Sequence, residues 1–211
     1  MPTPRRALVL VDVQQEYFDG PMQVQYPPRQ DSLARILTAI DSAVEADIPV
    51  AVIQHDAGED SPVYNPSKPG FALHPEISGR QKDTWKHLVK TNSSVFLNTD
   101  LVDWLTSRGV DTVTLVGYMT NNCVLASSAD SERVGVDIEV LSDATGAINL
   151  ANAGGSADAE TVHRTLLALL ASNWASVATT AEWVEAVANS NVLDKSNLYE
   201  SAVNGALATA N

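Results

Sequence analysis

The run Ala7-Leu8-Val9-Leu10-Val11-Asp12-Val13 is apolar but for a single carboxylate, and no other stretch constrains the fold so tightly. A strand with one wet face alternates apolar and polar residues, whereas a strand covered on both faces reads as continuous apolar sequence. Two covered faces mean a central sheet between helical layers. The rest of the chain agrees. Leu33, Ile36, Leu37, Ile40 and Val44 form a helical stripe within residues 32–46, and Val50-Ala51-Val52-Ile53 follows Pro49 as a second strand.

The same alternation continues downstream. A short helix spans residues 100–107, with Thr99 as its expected N-cap and Gly109 as its C′ residue. Strand 112–116, helix 124–134, strand 137–141, helix 157–172 and strand 175–178 come next, and Thr179-x-x-Glu182 reads as a capping box opening a last helix. Regular alternation of this kind predicts a three-layer α/β/α, Rossmann-like fold with a mostly parallel central sheet of about six strands. Residues 56–94 break the rhythm as a long connection rich in Pro and Gly, and connections of that length are usually functional. Residues 189–211 are polar and weakly periodic, which divides the chain into a domain over 1–188 and a tail over 189–211. The tail reads either as a frayed end or as an arm packing on a neighbouring subunit.

Charge narrows the partners. A net charge of −13 argues against nucleic acid and against anionic membrane, because phosphate binding needs clustered Lys and Arg. No apolar stretch approaches the ~18 residues of a membrane span. One cysteine excludes an internal disulfide, and cytoplasm is the expected compartment.

That cysteine, Cys123, follows the strand ending at Val116 and precedes a helix, in Gly117-Tyr118-Met119-Thr120-Asn121-Asn122-Cys123-Val124. The positive end of a helix dipole favours thiolate there, although most lone cysteines are small buried hydrophobes. Asp12 ends the first apolar run, and a buried carboxylate requires a partner or a proton. Open α/β sheets bind ligands outside the carboxyl ends of their strands. An acid and a thiol brought to that edge make an acid/base–nucleophile pair. A cation beside them would hold the acid ionised and lower the thiol pKa; Lys68, Lys82, Lys86 and Lys90 are the candidates in the long connection, and Lys90 stands out by context.

Three segments together resemble the isochorismatase-like cysteine hydrolases, which include nicotinamidases, N-carbamoylsarcosine amidase and isochorismatases. They are Leu10-Val-Asp12-Val-Gln14-x-x-Phe18, Lys90-x-x-x-Ser94-x-Phe96-x-x-Thr99-x-Leu101 and Gly117-x-x-Thr120-x-x-Cys123-Val124. The resemblance runs from about Ala7 to Ala188 and is specific because the three motifs occur in order. It implies a Cys123–Asp12–Lys90 triad, a cis peptide at Tyr118–Met119, and an oxyanion hole formed by the amides of Met119 and Cys123. It also implies a homodimer or homotetramer. The nicotinamidase metal pattern, an Asp-x-His pair with a further His, is not matched: Gln54-His55-Asp56-Ala57 reverses the order, and His74 and His87 do not complete it. No metal and no cofactor are therefore expected. His163 is expected to make a structural hydrogen bond.

Gln14, Phe18, His55, Tyr118 and Asn122 are the expected pocket wall, fitting a small planar amide. Trp85 could close the pocket or pack in the core. An intact Cys123 favours C–N cleavage of an amide or ureido bond through a thioester; the alternative within the same family is an isochorismatase-type vinyl ether hydrolase, which needs no thiol. A nucleotide-binding module is disfavoured because no G-x-G-x-x-G follows the first strand, and a thiol redox protein because there is no resolving cysteine.

Overall fold

A computed structural model describes residues 3–208. The chain runs through β1 (Arg6–Val11), α1 (Arg29–Glu45), β2 (Val50–His55), α2 (Pro75–Ser78), β3 (Lys86–Lys90) and α3 (Leu101–Ser107). It continues through β4 (Thr112–Tyr118), α4 (Leu125–Val134), β5 (Asp137–Gly146), the hairpin β6 (Leu150–Asn152) and β7 (Gly155–Ala157), and α5 (Ala159–Asn173). β8 (Ala175–Ala178), α6 (Thr180–Ala188) and α7 (Leu198–Ala208) complete it. Six strands form one parallel sheet in the order β3-β2-β1-β4-β5-β8. This is the α/β architecture expected from the buried first strand.

Strand β1 shows how the two cores arise. Leu8 and Leu10 join Ile36 and Ile40 of α1 and Trp183 of α6 in one apolar cluster. Ala7, Val9 and Val11 join Leu101 and Leu105 of α3 and Leu170 of α5 in the other. Side chains alternate across a strand, so one continuous apolar run feeds both layers. Each fully buried Leu or Ile contributes roughly 1.5–3 kcal/mol.

Several boundaries differ from the sequence expectation. Helix α1 starts at Arg29 because Pro28 takes the N-cap position and its carbonyl accepts the amides of Asp31 and Ser32. Strand β5 extends to Gly146 after a register shift opposite Leu115–Gly117, which the polar pair Ser142-Asp143 hides in sequence. The long connection contains β3 at its end, where Lys86-His87-Leu88-Val89-Lys90 forms one edge of the sheet. Edge strands lack a continuous apolar run and commonly carry lysine, so periodicity does not reveal this one. Asp100, not Thr99, occupies the N-cap position of α3; the Thr99 hydroxyl donates to the Val95 carbonyl at 2.6 Å and accepts from the Leu101 amide at 3.4 Å. Gly109 takes the expected left-handed conformation, and the Thr179–Glu182 capping box forms.

The tail contains a regular element. Helix α7 packs against α5 and leaves Leu198, Tyr199, Val203 and Leu207 exposed. The end of the expected tail, residues 209–211, lies outside the described residues. Among the described residues no helix is long and apolar enough to cross a membrane.

Candidate active site

Three strand ends converge on one point. Val11 of β1 pairs with Gly117 of β4, which sets the turn holding Asp12 beside the turn that leads to Cys123. Gly117 has a φ of +105°, and a Cβ there would collide with the Val11 carbonyl, so this close approach requires glycine. Asp12 itself has a φ of +51°, a left-handed conformation uncommon for a non-glycine residue and concentrated at functional sites. Lys90 enters from the sheet edge: it ends β3 opposite His55 of β2, and its long stem spans β2 to reach the other two.

The resulting cluster is buried. Asp12, Lys90 and Cys123 are 0%, 1% and 2% exposed. The Lys90 Nζ lies 2.7 Å from Asp12 Oδ2 and 3.2 Å from Cys123 Sγ. It also lies 3.2 Å from His55 Nδ1 and 3.2 Å from the Asn92 carbonyl. Apart from that ammonium, neither Asp12 oxygen has a hydrogen bond of good geometry. The three residues that the motifs single out thus meet around one ammonium group.

Burial sets the protonation states. It raises the Asp12 pKa, with Lys90 opposing. Burial also acts to discharge Lys90, but the charges of Asp12 and Cys123 outweigh it and hold Lys90 cationic. Burial and then Asp12 push the Cys123 thiol up to about 12 against the pull of Lys90. The free thiol is therefore protonated at neutral pH, contrary to the expectation that helix dipole and lysine would favour thiolate. Such a thiol needs a base, and the Asp12 carboxylate is adjacent, its pKa raised by burial. Burial, then Lys90, lowers the His55 pKa, so its neutral ring can accept from Lys90.

The turn carrying Cys123 is pinned on both sides. The Tyr118–Met119 peptide is cis, as the resemblance implies, and the Asn122 and Val124 amides both donate to the Met119 carbonyl at 3.1 Å. The His163 ring bridges Thr120 Oγ1 and the Ser142 carbonyl, each at 2.9 Å. A ring nitrogen facing a carbonyl must carry the proton, so Nε2 donates and Nδ1 accepts from Thr120. This is the structural bond expected of His163. The Ser127 hydroxyl donates to the Cys123 carbonyl at 2.6 Å and accepts from the Val95 amide at 3.0 Å. Ser94 donates to Asp130 on α4 at 2.7 Å. The loop after Lys90 is thereby tied to the helix after Cys123.

Of the expected pocket wall, only His55 touches the cluster. Gln14 is fully buried and holds the connection in place: its Oε1 accepts from the His55 amide, and its Nε2 donates to the His55 and Phe71 carbonyls. In the free protein it acts as a tether between β1 and that connection. Tyr118 points to the α1 side, where its hydroxyl bonds Ser32 Oγ at 2.8 Å, because alternation along β4 sends it, like Val116, into that core, whereas Cys123 lies beyond the strand and joins the other core. Phe18 packs on Tyr118 and on His74 in the α1-side core. Asn122 is exposed, while Asn121 turns a buried, unpartnered Oδ1 inward. Trp85 is core.

Residues the motifs do not mark complete the surroundings. Tyr17 stacks on Tyr64 with centroids 5.4 Å apart, and Tyr64 meets the His55 ring edge-on at 5.3 Å. Tyr64 lies in a loop without periodicity, so nothing in the sequence singles it out. The nicotinamidase metal does not fit these residues. His55 is engaged with Lys90, His74 Nδ1 caps α2 and His87 is exposed on β3; among the described residues no three His, Cys, Asp or Glu side chains gather as a metal group.

Comparison with known proteins identifies the family and the fold. The family model for the isochorismatase domain matches residues 6–182. The crystal structure of a provisionally assigned isochorismatase from Burkholderia xenovorans LB400 superposes with a TM-score of 0.94 at 40% identity, covering 99% of this chain and 100% of that one. The nicotinamidase/pyrazinamidase of Mycobacterium tuberculosis is 30% identical over 165 residues, covering 68% of this chain and 88% of that protein. An uncharacterized isochorismatase family protein of Bacillus subtilis, YrdC, is 27% identical over 182 residues, covering 85% of this chain and 95% of that protein. The chain thus has an α/β fold with its candidate site at the carboxyl edge of a parallel sheet. It belongs to the isochorismatase family.

Proposed function

We propose that this protein is a metal-independent cysteine amidohydrolase acting on a small amide or ureide. The observation that carries the reading is the single buried ammonium of Lys90 in contact with both the Asp12 carboxylate and the Cys123 sulfur. The amidase-type name of the mycobacterial relative supports the same bond class.

The sequence of steps follows from the protonation states. Asp12 takes the thiol proton as the Cys123 sulfur attacks the carbonyl carbon, and the carbonyl electron pair moves to oxygen. The amides of Met119 and Cys123 receive that oxyanion; a donor of this kind is worth about 2.7–4 kcal/mol at the transition state. As the C–N bond breaks, Asp12 returns its proton to the leaving nitrogen. Water then attacks the thioester, Asp12 takes its proton, and the C–S bond breaks to restore the thiol through the same carboxyl. Lys90 keeps the carboxylate anionic between transfers.

Ammonia release from a panel of primary amides and ureido compounds, with and without chelator, tests the proposal. Turnover that is insensitive to chelator and abolished by Cys123→Ala is the expected result. Full turnover by Cys123→Ala on any substrate of the wild-type enzyme would remove the covalent mechanism.

A further inference from the structure

The Lys90 ammonium and the Cys123 sulfur meet at 3.2 Å, although their segments leave the sheet from β3 and β4 with β2 and β1 between them. Strand pairing does not fix that contact, because Lys90 is followed by an irregular loop over residues 91–99. The loop is held instead by helix α4, which begins two residues after Cys123. Its Val95 is fully buried and belongs to the same apolar cluster as Cys123 and Val124.

One hydroxyl joins the two segments. Ser127, in the first turn of α4, is fully buried, with its Oγ 2.6 Å from the Cys123 carbonyl and 3.0 Å from the Val95 amide. An amide can only donate, so the single hydroxyl proton goes to the carbonyl and Oγ serves in both roles. Helical serines often bond backward to the carbonyl four residues earlier, and such a bond alone is local. Its neighbour Ser128 shows that case: it is equally buried and donates to the Val124 carbonyl at 2.8 Å. Among the described residues the Lys90 loop donates to Ser127 Oγ and not to Ser128 Oγ. A second tie lies farther out, where Ser94 donates to Asp130 Oδ2 at 2.7 Å.

We propose that Ser127 is a positioning residue whose hydroxyl sets the distance between the Lys90 ammonium and the Cys123 sulfur. Without it the Val95 amide is buried with no acceptor, which draws the loop outward or water inward. That loop also carries the Asn92 carbonyl, which accepts from the ammonium at 3.2 Å. Once the loop is no longer held against α4, the ammonium sits farther from the sulfur and its attraction weakens with distance. The proposal rests on the hydrolase function above and deepens it by naming what holds the site together.

A pair of alkylating agents reads the ammonium at the sulfur without a known substrate. Iodoacetamide and iodoacetate form the same kind of sulfur–carbon bond, with iodide leaving and the thiol proton passing to solvent. Only iodoacetate carries a charge that the ammonium attracts. The ratio of the iodoacetate rate to the iodoacetamide rate, normalised to N-acetylcysteine, cancels the thiolate fraction, so a fold that is merely loosened leaves it unchanged. Ser127→Ala is expected to lower this ratio about threefold or more, whereas Ser128→Ala leaves it within about 1.5-fold of wild type. In a Lys90→Met background Ser127→Ala is expected to change the ratio by less than about 1.5-fold, because the charge it positions is gone. An unchanged ratio in Ser127→Ala, an equal fall in Ser128→Ala, or a fall that persists in full beside Lys90→Met overturns the proposal. If Ser127→Ala does not fold, Ser94→Ala cuts the outer tie of the same loop and is expected to lower the ratio about twofold; no fall there overturns it as well. Absence of amide turnover alongside the expected ratios would instead refute the hydrolase function alone.

Discussion

Strand β1 carries a buried ion pair at each end, and the two are built to opposite specifications. At its start, Arg6 meets Glu139 of β5 at 2.8 Å, with the side chains 3% and 4% exposed. Glu139 also accepts from Thr114 Oγ1 at 2.7 Å and Trp183 Nε1 at 3.0 Å, and Arg6 donates to the Asn191 carbonyl at 2.7 Å. Just past its end, Asp12 meets Lys90 at 2.7 Å with both side chains fully buried, and the further donor beside its carboxylate is the Cys123 thiol, a group able to give up its proton. A saturated pair has nothing left to exchange. An unsaturated one keeps lone pairs available for a proton, which is why the first reads as architecture and the second as chemistry.

Breaking each end in turn gives the sharpest contrast. Cys123→Ala at the unsaturated end is expected to reduce ammonia release by at least ~10³-fold while leaving the melting temperature nearly unchanged. Glu139→Gln at the saturated end strands Arg6 and is expected to cost about 3–5 kcal/mol in urea unfolding, with turnover per folded molecule retained. Turnover that falls as steeply as stability would erase the distinction.

The thiol gives a test by pH. Its pKa is raised from 9.0 in the free state to about 12 in the fold, mainly by burial. The unfolded chain therefore loses this proton first. The stabilisation is complete below pH 9 and disappears as pH rises toward 12, an effect on the order of 4 kcal/mol. Wild-type protein is expected to lose more stability than Cys123→Ala across that interval in denaturant titrations. In Asp12→Asn the thiolate absorbance is expected to appear at lower pH, because a charge that raises the thiol pKa is gone. Smallest is Trp183→Phe, which removes one donor from Glu139 and is expected to cost about 1–3 kcal/mol by the same unfolding assay, with unchanged activity.

The sequence discloses the two ends of β1 unequally. Asp12 is conspicuous because it interrupts an apolar run, and Cys123 because it is alone between strand and helix. Lys90 is one of four candidate lysines until its context and the motif resemblance mark it, since its strand is a half-exposed edge without apolar continuity. Arg6 and Glu139 give no signal, because nothing in spacing says that residues so far apart will meet. Side-chain direction is the other blind spot. The π-type winding of Thr120–Val124 decides that Asn121 and not Asn122 turns inward, and strand parity sends Tyr118 away from the sulfur. Tyr64 depends on a left-handed backbone that its loop imposes.

That the cation sits at the end of an edge strand also affects how the protein fails on heating. Edge strands and the loops after them open at lower free energy than the strands they border. Peeling β3 from β2 would withdraw Lys90 while β1 and β4 still hold Asp12 and Cys123 together. Heat inactivation is then expected to run a few degrees ahead of the loss of far-ultraviolet circular dichroism, so the working lifetime of the protein would be set by a strand at the edge of its sheet.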